Sequence, residues 1–458
     1  MIVMKFGGTS VQDATAINRV AGIVTSKLGL KPCIVVSAMA RVTDALLGIA
    51  RAANERRFED AAGLIANLSE RHLNVARELL RPGHERDSVE HAIESHFTEL
   101  LGLARSVATL GELTPRSQEA ISSFGERLSS QIIAAAFKAK GLPAHLVDSR
   151  EFLVTDRNFN AASPDMTATE RLVKQRLLPV INEGKIPVAQ GFIGSTPEGI
   201  TTTIGRGGSD YSAAIIGASL GADSIEIWTD VDGLMTADPR VVAGARRIRV
   251  VSFDEAAELS YFGAKVLHPS TVLPAIERRI PVHIFNTNNP SCEGTLIAAE
   301  PKRSLNTIKS IAVKRGVTII NVASARMIMA HGFLRTIFEV FDRHQTSIDV
   351  VTTSETSVSM TLDSTERLEA ILRDLKHIGE VNVDPGKAIV CVVGDNLKFT
   401  PGVAARLFRA LGDINVNMIS QGASVINLTF VINEKEIEKA IGMLHADFFR
   451  EADPAVFA

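Results

Sequence analysis

The stretch Thr201-Thr-Thr-Ile-Gly-Arg-Gly-Gly-Ser-Asp-Tyr-Ser212 places three glycines, an arginine and an aspartate directly before the apolar run Ala213-Ala-Ile-Ile-Gly217. Glycines let backbone N–H groups approach an anion closely, and the start of a helix offers unpaired N–H donors and the positive end of the helix dipole. Arg206 adds a guanidinium that can bind two oxyanion oxygens at once. The stretch therefore predicts a phosphate-binding loop that leads into a helix.

A second loop of the same kind lies near the N-terminus. Ile2-Val-Met-Lys-Phe-Gly-Gly-Thr-Ser10 reads as a short apolar strand with a lysine near its end, followed by two glycines and two hydroxyl side chains. Either loop by itself is a weak signal, because clusters of glycine and hydroxyl residues are common in turns. Two such loops in one chain predict a nucleotide polyphosphate as the ligand.

Length and composition restrict the class of protein. A chain of 458 residues predicts roughly three units of about 150 residues each. Hydrophobic residues make up 45% and charged residues 22% of the sequence, as in soluble globular proteins. No apolar run approaches the roughly 18 residues that a membrane span needs. A net charge of -3 without a basic block argues against a nucleic-acid surface. We expect neither a membrane nor a nucleic acid as a partner.

The cysteines predict a reducing compartment. Cys33, Cys292 and Cys391 are far apart and show no spacing typical of metal ligands. The first residues lack the charged region and apolar core of a signal peptide, because Lys5 and two glycines interrupt them. These features favour a cytoplasmic protein.

Up to about residue 300, short β-branched runs alternate with longer helical patterns, which is typical of an α/β sandwich around a mostly parallel sheet. Residues 57–140 differ, because their apolar residues recur at helical spacing throughout. We predict a helical lobe there. Four segments are typical strands: Cys33-Ile-Val-Val-Ser37, Ala144-His-Leu-Val-Asp148, Ile186-Pro-Val-Ala-Gln190 and Ser224-Ile-Glu-Ile-Trp-Thr229.

An internal repeat follows a charged linker at residues 298–304. Gly332-Phe-Leu-Arg-Thr-Ile-Phe-Glu-Val-Phe341, Ser347-Ile-Asp-Val-Val351 and Ser357-Val-Ser-Met-Thr-Leu362 are echoed roughly 70 residues later. The echoes are Gly402-Val-Ala-Ala-Arg-Leu-Phe-Arg-Ala-Leu411, Asn415-Val-Asn-Met-Ile419 and Ser424-Val-Ile-Asn-Leu-Thr429. Each copy predicts a βαββ module, and two copies favour a paired sheet with helices on one face.

Taken in order, the motifs of this chain resemble those of the aspartate kinase family, within the amino-acid kinases, and the repeat resembles that family's two ACT regulatory domains. The resemblance covers essentially the whole chain. It implies an α/β amino-acid-kinase domain at 1–297, with the helical lobe at 57–140, and ferredoxin-like ACT modules at 308–385 and 386–458. An alternative arrangement has the last strand return to the first module. The motifs are Lys5-Phe-Gly-Gly-Thr-Ser10, Ser37-Ala-Met-Ala-Arg-Val-Thr43, Phe124-Gly-Glu126, Gln190-Gly-Phe-Ile-Gly194, Thr203-Ile-Gly-Arg-Gly-Gly-Ser-Asp210, Trp228-Thr-Asp-Val-Asp-Gly233, Asp238-Pro-Arg240 and Phe262-Gly-Ala-Lys-Val-Leu-His-Pro269.

The resemblance implies ATP-dependent phosphorylation of the β-carboxylate of L-aspartate to 4-phospho-L-aspartate, which leads to lysine, threonine and methionine. A β-carboxyl group has a pKa of about 3.9 and is already ionised at neutral pH, so no general base is needed. Catalysis then consists of positioning and charge neutralisation. Magnesium is expected with ATP. The sequence indicates no dedicated set of protein ligands for it, so no metal ligand is assigned.

The family's functional positions carry over to this chain. Lys5 would stabilise the transferring phosphoryl group with the amides of Gly7 and Gly8, and Asp210 would hold Lys5. Arg206 would clamp the substrate α-carboxylate and Glu126 would accept its α-ammonium. The predicted substrate-binding residues are Ser37, Thr43, Glu126, Phe192, Arg206 and Ser209.

The predicted nucleotide contacts lie near the loop Val231-Asp-Gly-Leu-Met235. Met235 stands where several relatives have an aromatic residue, so this chain departs from the family there. His268 has no assigned role and is treated as structural. The predicted ATP-binding residues are Lys5, Gly8, Thr229, Asp230, Met235, Asp238, Arg240 and Lys265.

In the family, ACT domains bind an end-product amino acid between modules. Asp349 would accept the ligand ammonium, and the helix start at Gly332 would offer N–H groups to its carboxylate. Lysine is the first choice of effector and threonine the second; Ala330 stands where some lysine-sensitive relatives have serine. The modules also predict a homodimer or a dimer of dimers. The candidate effector residues are Met327, Gly332, Phe333, Leu334, Ile348, Asp349, Thr353, Ser354 and Glu355.

Two other functions stay open at this point. The chain is compatible with an amino-acid sensor that keeps the kinase fold without catalysis, although intact Lys5, Arg206 and Asp210 oppose it. The alternative acceptors are glutamate, carbamate and a nucleoside monophosphate, as in other members of the superfamily. Glu126, Thr43 and the ACT pair favour aspartate. Walker, protein-kinase and Rossmann signatures are absent from the sequence, so a fused dehydrogenase is not expected.

Overall fold

The computed structural model describes residues 1–262, 269–299, 306–328 and 331–458, without the side chains of 269 and 270. Lys265, His268 and Ala330, all named above, lie outside the described residues. The described chain forms two compact units. The first comprises residues 1–234, 250–253 and 269–299, and the second comprises 235–249, 254–262, 306–328 and 331–458.

Strands and helices alternate in the first unit and form a repeat in the second. The strands are β1 (Ile2–Phe6), β2 (Pro32–Val36), β3 (Ala144–Val147), β4 (Ile186–Gln190), β5 (Ile193–Ser195), β6 (Thr201–Thr203), β7 (Ser224–Thr229), β8 (Val250–Ser252), β9 (Val282–Asn286), β10 (Thr295–Ala298), β11 (Ile308–Ala323), β12 (Val351–Thr353), β13 (Ser357–Leu362), β14 (Glu380–Gly394), β15 (Met418–Gln421) and β16 (Asn427–Asn433). The helices are α1 (Ala14–Ser26), α2 (Val42–Asn54), α3 (Phe58–Leu79), α4 (His84–Leu110), α5 (Pro115–Ser122), α6 (Phe124–Ala139), α7 (Met166–Asn182), α8 (Gly208–Leu220), α9 (Phe253–Phe262), α10 (Leu273–Glu277), α11 (Phe333–Arg343), α12 (Leu368–Leu375), α13 (Val403–Ala410) and α14 (Ile437–Phe448).

The first unit is built on a mostly parallel sheet in the order β3-β4-β2-β1-β7-β9-β10-β8, where the β9–β10 pair is antiparallel. Every residue of β1, β2 and β4 is buried, as expected for strands covered by helices on both faces. The predicted α/β sandwich around a mostly parallel sheet is confirmed. All four strands predicted from the sequence are present, β4 and β7 with the predicted bounds.

The carboxyl ends of the central strands lie at one edge of this sheet. Phe6 pairs in register with Val36 and with Trp228, and Val36 pairs with Gln190. The loops that follow β1, β2, β4 and β7 therefore begin side by side. Ligands of open α/β sheets bind at this edge, and here the fold gathers sequence motifs that are far apart in the chain.

Helices α3 to α6 occupy the region predicted as a helical lobe. Their apolar faces bury Ile65, Ile93, Leu100 and Ile132 in one core that also includes β1 and β2. The lobe is thus anchored to the sheet by shared hydrophobic packing rather than attached as a separate body.

The second unit is one six-stranded sheet in the order β12-β13-β11-β14-β16-β15. The C-terminal half of β11 pairs with β13 and the N-terminal half of β14, while its N-terminal half pairs with the C-terminal half of β14. Strand β11 bends between these halves, where the register shifts around Lys314 and Val317 and Gly316 adopts a positive φ of 72°. Each βαββ module therefore borrows half of a long strand from the other.

This sharing corrects one detail of the predicted organisation. The last strand, β16, pairs with β14 and β15 and does not return to the first module. Instead, the N-terminal half of β11 pairs within the second module. A strand of this length that contains bulges can pair with different strand segments along its length. The predicted boundary between 385 and 386 falls inside β14, and the domain boundaries stay a prediction.

Two short segments predicted within the kinase domain cluster with the second unit. Residues 235–249 and 254–262 pack there because Ile311 donates a backbone hydrogen bond to Thr236 and Lys309 pairs with Glu255. The Lys309–Glu255 ion pair has a separation of 2.8 Å, and both side chains are almost fully buried.

The repeat prediction is close but misplaces three strands. Helices α11 and α13 and strand β13 lie where the repeat predicts them. The strand expected at residues 347–351 begins at Val351, the one expected at 415–419 begins at Met418, and the one expected at 424–429 begins at Asn427. In both copies a short extended segment follows the helix before ladder pairing starts, and an apolar run does not reveal where pairing begins.

Candidate functional site

One cavity of about 580 Å³ lies in the first unit and is lined by the loops at the carboxyl edge of the sheet. All six predicted substrate-binding residues line it, together with three of the four predicted catalytic residues. Gly7 is the catalytic candidate that does not line it. The predicted residues in the wall are Lys5, Gly8, Ser37, Thr43, Glu126, Phe192, Arg206, Ser209 and Asp210.

Lys5 and Asp210 form an ion pair inside this cavity. Lys5 lies in the buried strand β1 and Asp210 in the first turn of α8, and Nζ is 2.6 Å from Oδ1. The two side chains are each 11% exposed. The contact is close in distance but lacks hydrogen-bond geometry at Oδ1. A charge this deeply buried requires a partner of opposite sign, and each residue supplies it to the other.

The two glycines after β1 have different roles. The N–H of Gly7 donates to the carbonyl oxygen of Trp228 at 3.0 Å. This amide is therefore already used by the sheet and is not free to bind a phosphoryl group, which corrects the donor role expected for it. Gly8 lies so close to the next loop that a Cβ atom would be 2.9 Å from the Ala38 carbonyl oxygen. It also begins a 3₁₀ helix, whose first N–H groups lack helical acceptors.

Glu126 is a buried carboxyl group in the wall of the cavity. Its Oε1 accepts a hydrogen bond from the N–H of Ala38 at 3.1 Å, whereas Oε2 has no hydrogen-bond partner among the described residues. Burial raises the pKa of Glu126 to about 8, although the Ala38 amide and the charge of Lys5 oppose that rise. A carboxyl group with this pKa is largely protonated at neutral pH.

Another part of the cavity wall, between β4 and α8, is a tightly packed turn. A Cβ atom on Gly191 would lie 2.6 Å from Cβ of Ser209, so a glycine is required for the β4 loop to approach α8. Phe192 follows with a positive φ of 66°, and its N–H donates to Ser212 Oγ at 2.9 Å. Arg206 is exposed on the next loop. The predicted substrate residues of this wall are thus held by backbone packing.

The sequence reasoning missed Glu119, which also lines the cavity. Its Oε1 accepts hydrogen bonds from Thr203 Oγ1 at 2.7 Å and from the N–H of Asn160, while no described residue bonds to its buried Oε2. Burial raises its pKa. Glu119 lies seven residues before Glu126, about two turns of a helix, and this spacing is the signal that could have indicated a second carboxyl group on the same side. Arg41 was also missed, although it lies within a quoted motif.

The predicted nucleotide residues are distributed over both units. In the first unit, Thr229 is the last residue of β7 and Asp230 follows it. Thr229 Oγ1 donates a hydrogen bond to the Asp230 carboxylate at 3.2 Å. In the second unit, Asp238 and Arg240 form an exposed ion pair of 2.7 Å, and the Met235 carbonyl oxygen accepts from Ser310 Oγ at 2.7 Å. Apart from Lys5 and Gly8, the described members of this set do not line the cavity, and the ATP contacts stay a prediction.

In the second unit, the predicted effector carboxylate already has partners. Asp349 Oδ1 lies 2.6 Å from Nζ of Lys314 and accepts a hydrogen bond from the Tyr261 hydroxyl at 2.8 Å. The Asp349 side chain is 2% exposed, and within the described chain its Oδ2 is unpaired. Burial lowers the pKa of Lys314, but hydrogen bonds with Asp349 and Asp363 outweigh burial and raise it.

The other effector candidates surround α11 and the loop after β12. Met327, Phe333 and Ile348 are half-buried against the core of the first module. Gly332 caps α11 with a positive φ of 83°, and Leu334 is 39% exposed. Thr353, Ser354 and Glu355 are exposed, with Ser354 Oγ 2.8 Å from Ser357 Oγ. Their role as an effector site stays a prediction.

Two family models match parts of the chain. Residues 1–286 match the model described as the amino acid kinase family. Residues 390–448 match a model described as an ACT domain. The first match covers more than half of the chain and the second lies in the repeat.

Curated relatives match over nearly the full length. The lysine-sensitive aspartokinase 3 of Escherichia coli (strain K12) is 36% identical over 457 residues, which cover 98% of this chain and 99% of that protein. The chloroplastic aspartokinase 1 of Arabidopsis thaliana is 38% identical over 467 residues, which cover 98% of this chain and 80% of that protein.

Solved structures are similar to the same extent. E. coli aspartokinase III in complex with aspartate and ADP, in the R-state, matches with a TM-score of 0.85 at 36% identity, covering 98% of this chain and all of that one. The same enzyme with lysine and aspartate, in the T-state, gives a TM-score of 0.84 at 35% identity. The aspartate kinase of Clostridium acetobutylicum gives 0.82 at 28% identity.

Proposed function

The chain belongs to the amino acid kinase family and, within it, to the aspartokinases, and from that premise we propose that its cavity binds L-aspartate for phosphorylation by ATP. The product is 4-phospho-L-aspartate, formed on the β-carboxylate. The observation that carries this assignment is the buried Lys5–Asp210 pair, which shares one cavity with Arg206, Glu126 and Gly8.

The reaction requires charge neutralisation more than proton transfer. The β-carboxylate of aspartate is ionised at neutral pH, so it attacks the γ-phosphorus of ATP without a base. Negative charge on both reactants opposes their approach, and a preorganised cation in a water-poor site reduces that cost. Lys5 supplies this cation. Asp210 keeps the ammonium aimed at the cavity, because a lysine side chain alone has many rotamers.

The α-groups of aspartate fix its orientation. Arg206 is exposed on the glycine loop and pairs with the α-carboxylate in a bidentate contact. Oε2 of Glu126 is buried and has no hydrogen-bond partner among the described residues. It accepts a hydrogen bond from the α-ammonium. Anchoring both α-groups leaves the β-carboxylate directed at the Lys5 side, and such positioning is a large part of the catalytic effect in phosphoryl transfer.

ATP is the phosphoryl donor, and Mg²⁺ accompanies it. Glycine 8 and the 3₁₀ helix that it begins offer N–H groups to the phosphates, and Thr229 and Asp230 lie at the end of the neighbouring strand β7. The described residues contain no group of three His, Cys, Asp or Glu side chains arranged as a metal site. A Mg²⁺ ion held by the nucleotide phosphates and water would neutralise phosphate charge when bound.

The test is a direct assay of the purified protein. With ATP and L-aspartate, we expect ADP release and an acyl phosphate that hydroxylamine traps as the hydroxamate. Glutamate, carbamate and nucleoside monophosphates serve as alternative acceptors and should be phosphorylated far more slowly. Absence of hydroxamate with aspartate would favour the non-catalytic sensor, and faster turnover of another acceptor would reassign the substrate.

Lysine is the proposed effector, bound at the first module of the repeat. The E. coli relative is named lysine-sensitive and was solved with lysine. In this chain, Oδ2 of Asp349 is a buried acceptor without a partner in the described structure, which suits an ammonium group. Titration of activity with lysine, threonine and methionine separates the candidates; inhibition by threonine alone would overturn the choice of lysine.

A homodimer is the proposed assembly. Leu334 and Phe338 lie one turn apart on α11, and each is 39% exposed. An apolar pair on the outer face of a regulatory module fits the same face of a second copy across a two-fold axis. Analytical ultracentrifugation should give a dimer or a dimer of dimers for the wild type and a smaller species for Phe338→Asp. An unchanged mass for that variant would place the interface elsewhere.

The proposed location is the cytoplasm. Cys33 and Cys391 are buried as free thiols, and Cys292 is free and half-buried; free thiols are typical of a reducing compartment. In the described part of the chain, no helix combines the length and apolar character needed to cross a membrane. Fractionation of cells that express the tagged protein tests this.

A further inference from the structure

Arg41 has a backbone conformation that arginine seldom adopts. It caps the N-terminus of α2 with φ 66° and ψ 2°, in the left-handed region. That region favours glycine and costs other residues free energy, and such residues are concentrated at functional sites. A glycine would relieve the strain here, so the arginine side chain requires another explanation.

The position of Arg41 places it next to the phosphate loop. The N–H of Ala40 donates to the carbonyl oxygen of Gly8 at 3.1 Å, so the two loops are joined directly before Arg41. Arg41 itself lines the same cavity as Lys5 and Arg206. Three cationic side chains, those of Lys5, Arg41 and Arg206, therefore line one cavity, and the loop that carries Arg41 packs on the loop that follows Lys5.

The charge of Arg41 is not neutralised by the described residues. The side chain is exposed and forms no hydrogen bond or ion pair there, although Asp44 lies one turn away on α2 and lines the same cavity. Lys5, by contrast, is paired with Asp210 at 2.6 Å. The unpaired guanidinium is thus available to an anionic ligand.

Arg71 in α3 holds the Arg41 loop in place. Its Nη1 donates to the carbonyl oxygen of Ala40 at 3.0 Å and its Nη2 to that of Gln12 at 3.2 Å. Burial lowers the pKa of Arg71, the carboxylate of Asp13 opposes this, and the nearby charge of Arg41 lowers it further. Repulsion between the two guanidinium groups disfavours a contact of Arg41 with the helical lobe.

We propose that the Arg41 guanidinium binds oxygen atoms of the phosphoryl group that is transferred. The proposal rests on the function proposed above. Lys5 already balances the charge of Asp210, and Arg206 is assigned to the α-carboxylate of aspartate. A further cation beside Gly8 neutralises the charge that accumulates when a carboxylate approaches the γ-phosphate.

The key variant is Arg41→Gly, with Arg279→Gly as its matched control. Arg279 is an exposed arginine with a positive φ of 54° in the same unit, and it does not line the cavity. Both changes relieve left-handed strain, so both should raise the melting temperature. Only Arg41→Gly should lower kcat/KM, by about 10- to 100-fold, as expected for loss of a hydrogen bond to a charged group. Arg41→Lys should recover part of the rate.

Separate measurements identify the bound group. Calorimetric titration with MgADP and with a non-hydrolysable MgATP analogue reports phosphate binding, and steady-state kinetics report kcat and the KM for aspartate. A lower kcat or weaker binding of the ATP analogue supports the proposal. A rise in the KM for aspartate alone would instead assign Arg41 to the acceptor and overturn it.

Two further outcomes would contradict the proposal. One is a wild-type kcat/KM in a folded Arg41→Gly variant, and the other is an equal loss of activity in Arg279→Gly. Wild-type hydroxamate formation is measured first. If the wild type forms no acyl phosphate, the proposed function fails; if it does and Arg41→Gly matches it, the inference about Arg41 fails alone.

Discussion

Nζ of Lys5 lies 2.6 Å from Oδ1 of Asp210, although the two residues are far apart in the sequence. The lysine lies near the end of the buried central strand β1, and the aspartate lies in the first turn of α8, after the glycine loop. The pair fixes a cation at the point where the two predicted phosphate loops meet, so removal of either charge affects both stability and the charge of the site.

Replacement of Lys5 by alanine should reduce kcat by about 10²–10³-fold, the usual effect of removing one preorganised charge-stabilising group. Unfolding free energy should fall by about 3 kcal/mol, because Asp210 would remain buried without its partner. Stopped hydroxamate assays and chemical denaturation measure the two effects.

Lys27→Ala is the control for this experiment. Lys27 also forms an ion pair with a buried carboxylate, Glu226, at 2.6 Å, but it does not line the cavity. It should lose a similar amount of stability with kcat near that of the wild type. Near-normal turnover in folded Lys5→Ala, or equal loss of kcat in both variants, would remove Lys5 from the mechanism.

Aspartate binding should release a proton below pH 8. Burial raises the pKa of Glu126 to about 8, whereas an ammonium partner favours the ionised carboxylate. The KM for aspartate should therefore rise by up to about tenfold for each pH unit below 8. Calorimetry in buffers of different ionisation enthalpy counts the released proton, and Glu126→Gln should abolish the release. A KM independent of pH between about 6 and 8, where the carboxyl group would have to lose a proton to bind the ammonium, would contradict the assignment.

The same shift affects stability. A folded pKa of about 8 lies above the unfolded value of about 4.3, so the contribution of Glu126 is fully present below the unfolded pKa and is lost as the pH rises through 8. Denaturation of the ligand-free protein should show this loss, and Glu126→Gln should remove it. An identical pH dependence of stability in both proteins would show that Glu126 titrates normally.

Glu119 is expected to act as a positioning residue. It accepts hydrogen bonds from Thr203 and from the N–H of Asn160, and Thr203 leads into the Arg206 loop. Glu119→Ala should raise the KM for aspartate by about tenfold and lower the unfolding free energy by about 2 kcal/mol, because buried donors lose their acceptor. Glu119→Gln keeps an acceptor oxygen and should restore most of both. If the glutamine variant is as impaired as the alanine variant, the carboxylate charge acts on the substrate directly.

Asp349→Asn should weaken inhibition by lysine. A charged hydrogen bond contributes about 1.5–3 kcal/mol, so the half-inhibitory concentration should rise by about 10- to 100-fold. Asp374→Asn is the control, because Asp374 pairs with Arg343 at 3.0 Å on the exposed side of the same module. Inhibition curves compare the two. An unchanged response in Asp349→Asn would show that the effector binds elsewhere.

Much of the fold could be predicted because periodicity and glycine placement are local properties. The central strands and the helices of both modules lie close to their predicted bounds, and the α/β sandwich is confirmed. The strand expected at residues 347–351 was misplaced because ladder pairing depends on a neighbour, β13. The crossing of β11 between modules was missed for the same reason.

The site followed the same division. The two glycine loops indicated Lys5 and Arg206, since cations beside glycines suit an anionic ligand, and the role of Asp210 followed from the family resemblance. They could not indicate that the Gly7 amide is used by Trp228, or that Asp349 already pairs with Lys314. These are contacts between segments distant in sequence.

By itself, the sequence determined the family, the two phosphate loops and the repeated modules, because each is written in consecutive residues. Only the tertiary structure decided which polar groups are free. Burial in the folded wall raises the pKa of Glu126, Oε2 of Glu119 has no hydrogen-bond partner among the described residues, and the packing of two loops sets Arg41 beside Gly8. The physical reason is that desolvation and the number of hydrogen bonds of a group depend on its neighbours in space. The order of residues along the chain does not give those neighbours.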